Sequence, residues 1–120
     1  MSRTILVVED YDDVRHLMKL LLESYGYQVT EAADGVEAVE SIREPFPDLV
    51  LMDVSMPRMD GLEATKAIRK LDGASEIPII AVTAFGNQYY ERAIEAGCNT
   101  LINKPVDFAN IKLLLNQYLN

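Results

Sequence analysis

"VLMDVSMPRMDG", residues 50–61, places one acid, Asp53, at the end of an apolar run and then breaks the run with two methionines, a proline and Asp60-Gly61. The residues leading into it, "DLVLM" (48–52), have the content of a strand meant for a core. An ionised carboxylate is costly to bury alone, so the position of Asp53 predicts that other charged groups converge on it.

Outward from this stretch, short apolar runs recur: "TILVV" (4–8), "QVTEA" (28–32), "DLVLM" (48–52), "IPIIAV" (77–82) and "TLINK" (100–104). Three of them are rich in Val, Ile and Leu without clean alternation, as strands covered on both faces tend to be. Helical spacing fills the gaps. Val14, Leu17, Met18, Leu21, Leu22 and Tyr25 form one stripe, with Gly26 as its stop. Asp34, with Glu37 three residues on, starts a second helix that ends before Pro45. Leu62, Ala64, Ala67, Ile68 and Leu71 predict a third, closed by Gly73. A fourth, "QYYERAIEAG", stops at Gly97, and a fifth follows Lys104-Pro105 with Asp107 as cap. Strand and helix alternating five times predict an α/β fold, (βα)5, in which a doubly wound, five-stranded parallel sheet carries helices on both faces.

The chain has 120 residues, 49% of them hydrophobic, which suits one domain, 1–120, with one core. A net charge of −8 argues against a nucleic-acid partner and leaves a cation as a plausible ligand. The single cysteine, Cys98, excludes an internal disulfide and fits a reducing compartment. No apolar run approaches the roughly 20 residues that span a bilayer, and the N-terminus turns acidic too soon for a signal peptide. The expectation is a cytoplasmic protein with no membrane contact.

In doubly wound sheets, ligands bind beyond the carboxyl ends of the strands. The predicted strands end there in Glu9-Asp10, Asp53, Thr83 and Lys104, so these groups share one rim. Three carboxylates on one rim repel each other unless positive charge arrives. Lys104 supplies one charge. Magnesium suits the remainder because it takes oxygen ligands and keeps exchangeable waters. Asp10 and Asp53 are the expected direct ligands, Glu9 acts through water, and a backbone carbonyl comes from Ser55, just before Met56-Pro57. A carboxylate held beside such cations can attack a phosphoryl group in line, and the Thr83 hydroxyl can donate to a phosphoryl oxygen. A nucleotide- or flavin-binding protein would need a glycine-rich loop after the first strand, and "VVEDYDDV" has no glycine.

Taken in order, "ILVVEDYDD", "LMDVSMPRMDG", "IIAVTA" and "NKP" resemble the receiver domain of bacterial two-component response regulators over nearly the whole chain. The resemblance implies a flavodoxin-like sheet in the order 2-1-3-4-5, magnesium dependence, and a cis bond at Lys104-Pro105. It also implies phosphotransfer to Asp53 from a sensor histidine kinase or histidine phosphotransfer protein. At the matching positions Glu9 and Asp10 become the acid pair, Thr83 the switch hydroxyl and Lys104 the phosphate-pairing lysine. The chain departs from the family where many members carry an aromatic three residues before the lysine. Leu101 stands there, without the aromatic's polar contact, so activation is expected to be partial, with helix four and strand five facing the partner. "MDVSMPRMDGLEATKAIR" is similar to receivers of hybrid kinases. The competing reading is an interaction module of the same fold that is not phosphorylated.

Other residues carry structural expectations. His16 is a solvated surface residue and Cys98 a small side chain before a strand. Asp12 or Asp13 caps a helix, and Asp60 makes a turn in which Gly61 supplies backbone freedom. Tyr89 and Tyr90 either pack their helix or face a partner.

Overall fold

The computed structural model describes residues 3–56 and 58–119. Strands β1 (Thr4–Val8), β2 (Gln28–Ala32), β3 (Leu49–Asp53), β4 (Ile79–Thr83) and β5 (Thr100–Asn103) alternate with helices α1 (Asp12–Ser24), α2 (Gly35–Ser41), α3 (Gly61–Arg69), α4 (Gly86–Ala96) and α5 (Phe108–Leu119). All strands are parallel, in the order β2-β1-β3-β4-β5.

Burial explains why the three central strands lack polar alternation. Leu6, Val8, Val50, Met52, Ile79 and Ala81 pack into the core beneath α2, α3 and α4. Ile5, Val7, Leu49, Leu51 and Ile80 pack on the opposite face with α1 and α5. Both faces of β1, β3 and β4 are thus covered, as right-handed crossovers to either side require.

The first helix departs from its predicted stripe. Leu22 is fully buried, but Val14 and Leu17 are 43% and 67% exposed. The N-terminal half of α1 stands beside a cleft of about 340 Å³ that Val14, Leu17 and Met18 share with Phe108 of α5. Periodicity identified the apolar face correctly but could not show that half of it borders a cleft.

Caps and turns follow local chemistry, with four corrections. Asp34 caps α2 by accepting from the Glu37 amide at 2.9 Å, yet the Glu37 carboxylate accepts from Ala33 rather than from the cap itself. Asp12 and Asp13 occupy the first turn of α1, where the helix dipole favours acids, while Tyr11 holds the cap position. Asp60 is more than a turn residue: it caps α3 in a complete capping box with Glu63. Gly61 is required by proximity and not by conformational freedom, since a Cβ there would lie 2.1 Å from the Asp53 carbonyl oxygen. Asp107 caps α5 as expected, accepting from Ala109 at 3.0 Å. The Lys104-Pro105 bond is cis, and Glu44-Pro45 is cis as well.

Candidate functional site

Strand geometry brings the rim residues together. Side chains two apart on a strand share a face, so Asp53 continues the row of Leu49 and Leu51, on the side of α1 and α5. Glu9 follows Ile5 and Val7 in the same way, and Lys104 follows Ile102. Thr83, after Ile79 and Ala81, belongs to the α3 and α4 side. The predicted phosphoacceptor and the predicted switch hydroxyl therefore stand on adjoining strands but on opposite faces, and a link between them has to pass over the top of the sheet.

Lys104 Nζ lies 3.0 Å from Glu9 Oε1 and 3.2 Å from Asp53 Oδ1. Glu9 and Asp53 are buried, at 5% and 3% exposure. The other Glu9 oxygen accepts from the Tyr11 amide at 3.2 Å. Burial acts to raise the Glu9 carboxyl, but its hydrogen bonds, chiefly from Lys104, outweigh that and hold it below its ordinary value. Asp53 goes the other way. Burial and the neighbouring Glu9 push its carboxyl up to about 7, against the opposing pull of Lys104. Asp10 is raised by burial and by Glu9. For Lys104, burial lowers the ammonium's value, but Glu9 and Asp53 together raise it.

One lysine cannot satisfy this cluster. Carboxylate oxygens of Glu9, Asp10 and Asp53 lie within 4.8 Å of one another, and Asp10 Oδ1 is buried without a hydrogen-bond partner among the described residues. A buried, unpartnered carboxylate oxygen carries a desolvation penalty that a cation removes. An oxygen-rich cluster of this kind fits a hard divalent ion. Ser55, two residues beyond Asp53, is exposed on the following loop, and Pro57 lies outside the described residues.

Thr83 is 2% exposed, and its Oγ1 accepts from the Phe85 amide at 3.1 Å. Leu101 is half-buried against the core on the α4 side. Tyr89 packs there too, in line with helix packing, whereas Tyr90 is exposed. His16 is exposed, 3.6 Å from Glu31, and Cys98 is buried beside Thr65.

Two arginines support the rim in ways that composition alone did not reveal. Arg15 of α1 donates to the Glu9 carbonyl at 2.8 Å, steadying the backbone between the two acids. Arg58, in the loop after Asp53, reaches the cap of α2 and donates from Nε and Nη2 to Asp34 Oδ2 at 2.8 and 2.5 Å. Its φ of 66° lies in the left-handed region that non-glycine residues seldom adopt. Gly35 completes the junction: its amide donates to the Met59 carbonyl at 3.2 Å, and a Cβ there would come within 2.4 Å of that oxygen. The loop carrying Ser55 is thereby tied to α2. Asp34 was legible as a cap, but its partner lies 24 residues away.

A flavodoxin-like sheet in this order, with an acid cluster and a lysine at its carboxyl rim, defines a signalling domain of the two-component type. The chain belongs to the response regulator receiver domain family, whose sequence profile matches residues 5–116. It is 37% identical to the polar-differentiation response regulator DivK of Brucella anthropi over 99% of this chain and 98% of that protein. Among solved structures it is similar to the receiver domain of a sensor histidine kinase from Pseudomonas aeruginosa, which has a magnesium ion coordinated in its active-site cleft. That match has a TM-score of 0.91 and 36% identity over 98% of each chain. It is also similar to the chemotaxis protein CheY4 of Vibrio cholerae, with a TM-score of 0.90 and 27% identity over 99% of this chain and 100% of that one. Among the described residues, no helix is long and apolar enough to cross a membrane.

Proposed function

We propose that the whole chain, residues 1–120, acts as one receiver domain that takes a phosphoryl group on Asp53 from a phosphorylated histidine and signals through a change of conformation. The observation that carries this reading is the buried Asp53 carboxylate, 3.2 Å from Lys104 and clustered with Glu9 and Asp10. Asp53 Oδ1 is engaged by Lys104, which leaves the second carboxylate oxygen to attack phosphorus. The new bond is Oδ–P. The bond broken is N–P, and its electron pair stays on the departing imidazole nitrogen. Lys104 offsets the charge that accumulates as two anions approach.

Asp10, Asp53 and the Ser55 carbonyl would hold magnesium, with Glu9 acting through water. When bound, the ion supplies further charge neutralisation at the phosphoryl oxygens. It also favours the ionised, nucleophilic form of Asp53, which burial alone disfavours. The same pocket would support hydrolysis of the acyl phosphate, so the domain promotes both its own phosphorylation and its own reset.

The donor is a sensor histidine kinase or a histidine phosphotransfer protein. It has to reach an almost fully buried carboxylate, and the exposed apolar residues Val14, Leu17 and Phe108 line the cleft that opens beside it. A donor covering that apolar surface would exclude water while the phosphoryl group moves.

The test is intact-mass measurement after exposure to acetyl phosphate and magnesium. Wild type should gain a single phosphoryl group and Asp53→Asn none. Equal labelling of the two proteins would refute the acceptor assignment, and no labelling of either would favour the unphosphorylated interaction module.

A further inference from the structure

Helix α4 starts without a side-chain cap from its own N-cap residue, Phe85. Its leading amides are held instead by two side chains from the ends of neighbouring strands. Thr83 Oγ1 accepts from Phe85 N at 3.1 Å, and Asn103 Oδ1 accepts from Gly86 N at 3.0 Å. Thr83 and Asn103 are register partners, the last pair of the β4–β5 ladder. The Asn103 contact depends on glycine, because a Cβ at residue 86 would lie 2.0 Å from Asn103 Oδ1.

We propose that Asn103 is a positioning residue that moors the start of α4 to β5 in the resting state and opposes its displacement when Thr83 moves. The proposal rests on the reading of Asp53 as phosphoacceptor. A threonine hydroxyl has one proton to give and two lone pairs. Thr83 can therefore donate to a phosphoryl oxygen while still accepting from Phe85, and in moving it draws Phe85 and the start of α4 toward Asp53. That motion leads away from β5, where Asn103 holds Gly86. One end of α4 is thus pulled by β4 and restrained by β5. Leu101, on the same strand as Asn103, has no polar group to contribute to either arrangement. In this chain the resistance to switching is assigned to the amide side chain two residues further on.

Loss of one neutral hydrogen bond changes a two-state ratio by about two- to tenfold. Asn103→Ala should therefore shift the resting population toward the displaced form by that factor, and Gly86→Ala should do the same by pushing the Asn103 side chain off its seat. The measurement is the set of NMR amide shifts of Gln88, Tyr89 and Tyr90, in the first turns of α4, in wild type and both variants, with and without magnesium and beryllofluoride as the phosphoryl mimic.

In both variants without the mimic, these amides should already lie part of the way along the line from resting to beryllofluoride-bound wild type. If α4 amides respond identically in all three proteins while the neighbours of Asp53 are perturbed normally, Asn103 has no such role. If beryllofluoride leaves the neighbours of Asp53 unperturbed in wild type, the phosphoacceptor reading fails and takes this proposal with it.

Discussion

The two ends of the sheet solve opposite electrostatic problems. At the carboxyl rim, three carboxylates share one ammonium, and Asp10 Oδ1 is left buried and unpartnered among the described residues. At the amino rim, one guanidinium meets only acceptors: Arg69 donates to the carbonyls of Gly97, Ala74 and Ile77 at 2.9, 3.1 and 2.7 Å, and to Asn99 Oδ1 at 3.0 Å. Asn99 Oδ1 also accepts from the Ile79 amide, where β4 begins. The first end is under-satisfied and has the donor set to take an added cation. The second is closed, and it fixes the far end of α4 at Gly97. The contrast implies that movement of α4 concentrates near Phe85 and Gly86 and decays toward Ala96.

The largest effect should come from opening the closed end. Arg69→Ala removes a charged donor from four acceptors at once, and such bonds contribute about 1.5–3 kcal/mol each, though not additively. Water recovers part of the loss because Arg69 is only half-buried. Urea unfolding should show a loss of about 3 kcal/mol, with the response to magnesium equal to that of wild type. A loss under 1 kcal/mol would mean that the amino rim is not the rigid end.

The carboxyl rim should respond to substitution with the opposite sign. Asp53 has its folded-state carboxyl pushed up to about 7, against roughly 3.9 in an unfolded chain. Between those values the native state holds a proton that the unfolded state has released. The stability tied to this proton is complete below about pH 4 and is lost as pH rises toward 7. Glu9 is shifted downward, so its own contribution changes only at lower pH. Metal-free Asp53→Asn lacks the Asp53 dependence. Relative to wild type it should gain about 2–3 kcal/mol between pH 5 and pH 8, from roughly 1.4 kcal/mol per pH unit over that window. Denaturant melts in a chelating buffer at both pH values decide it; a constant difference would show that Asp53 is not protonated in the native state.

The contrast between the rims also marks how far the sequence could be read. Interactions spanning a few residues were legible: the caps at Asp34 and Asp107, the helix stop at Gly97, and the strand ends that put Glu9, Asp53, Thr83 and Lys104 on one rim. That rim could be assembled on paper because parallel strands all finish at the same edge of the sheet. The amino-rim clamp could not, since Arg69 reaches 28 residues to Gly97 and 30 to Asn99, and no helical or strand period relates those positions. Arg58 and Asn103 were missed for the same reason. Gly35 and Gly86 were the available signals, but a glycine that admits a neighbour's oxygen reads the same in sequence as one that permits a turn. Leu17 reads as core by periodicity because a stripe records which side of a helix is apolar, not how far along the helix the cover extends.

The smallest of these effects separates a cation deficit from simple crowding at the carboxyl rim. If Asp10 Oδ1 is unpartnered because it awaits a divalent ion, magnesium should stabilise the folded state by about 1.4 kcal/mol at a free concentration ten times its Kd. For a chain of this size that is roughly 4–6 °C in Tm. Asp10→Asn keeps the shape but removes a charge. It should therefore raise the metal-free Tm, through relief of repulsion from Glu9 and Asp53, and cut the magnesium-dependent rise to less than half. The two changes have opposite signs, which a general packing defect would not produce. Calorimetric melts across a magnesium series, with calcium and sodium chloride at matched ionic strength as controls, measure both. An equal rise with sodium chloride would reduce the effect to screening of a net charge of −8, and the carboxyl rim would then be acidic without being a metal site.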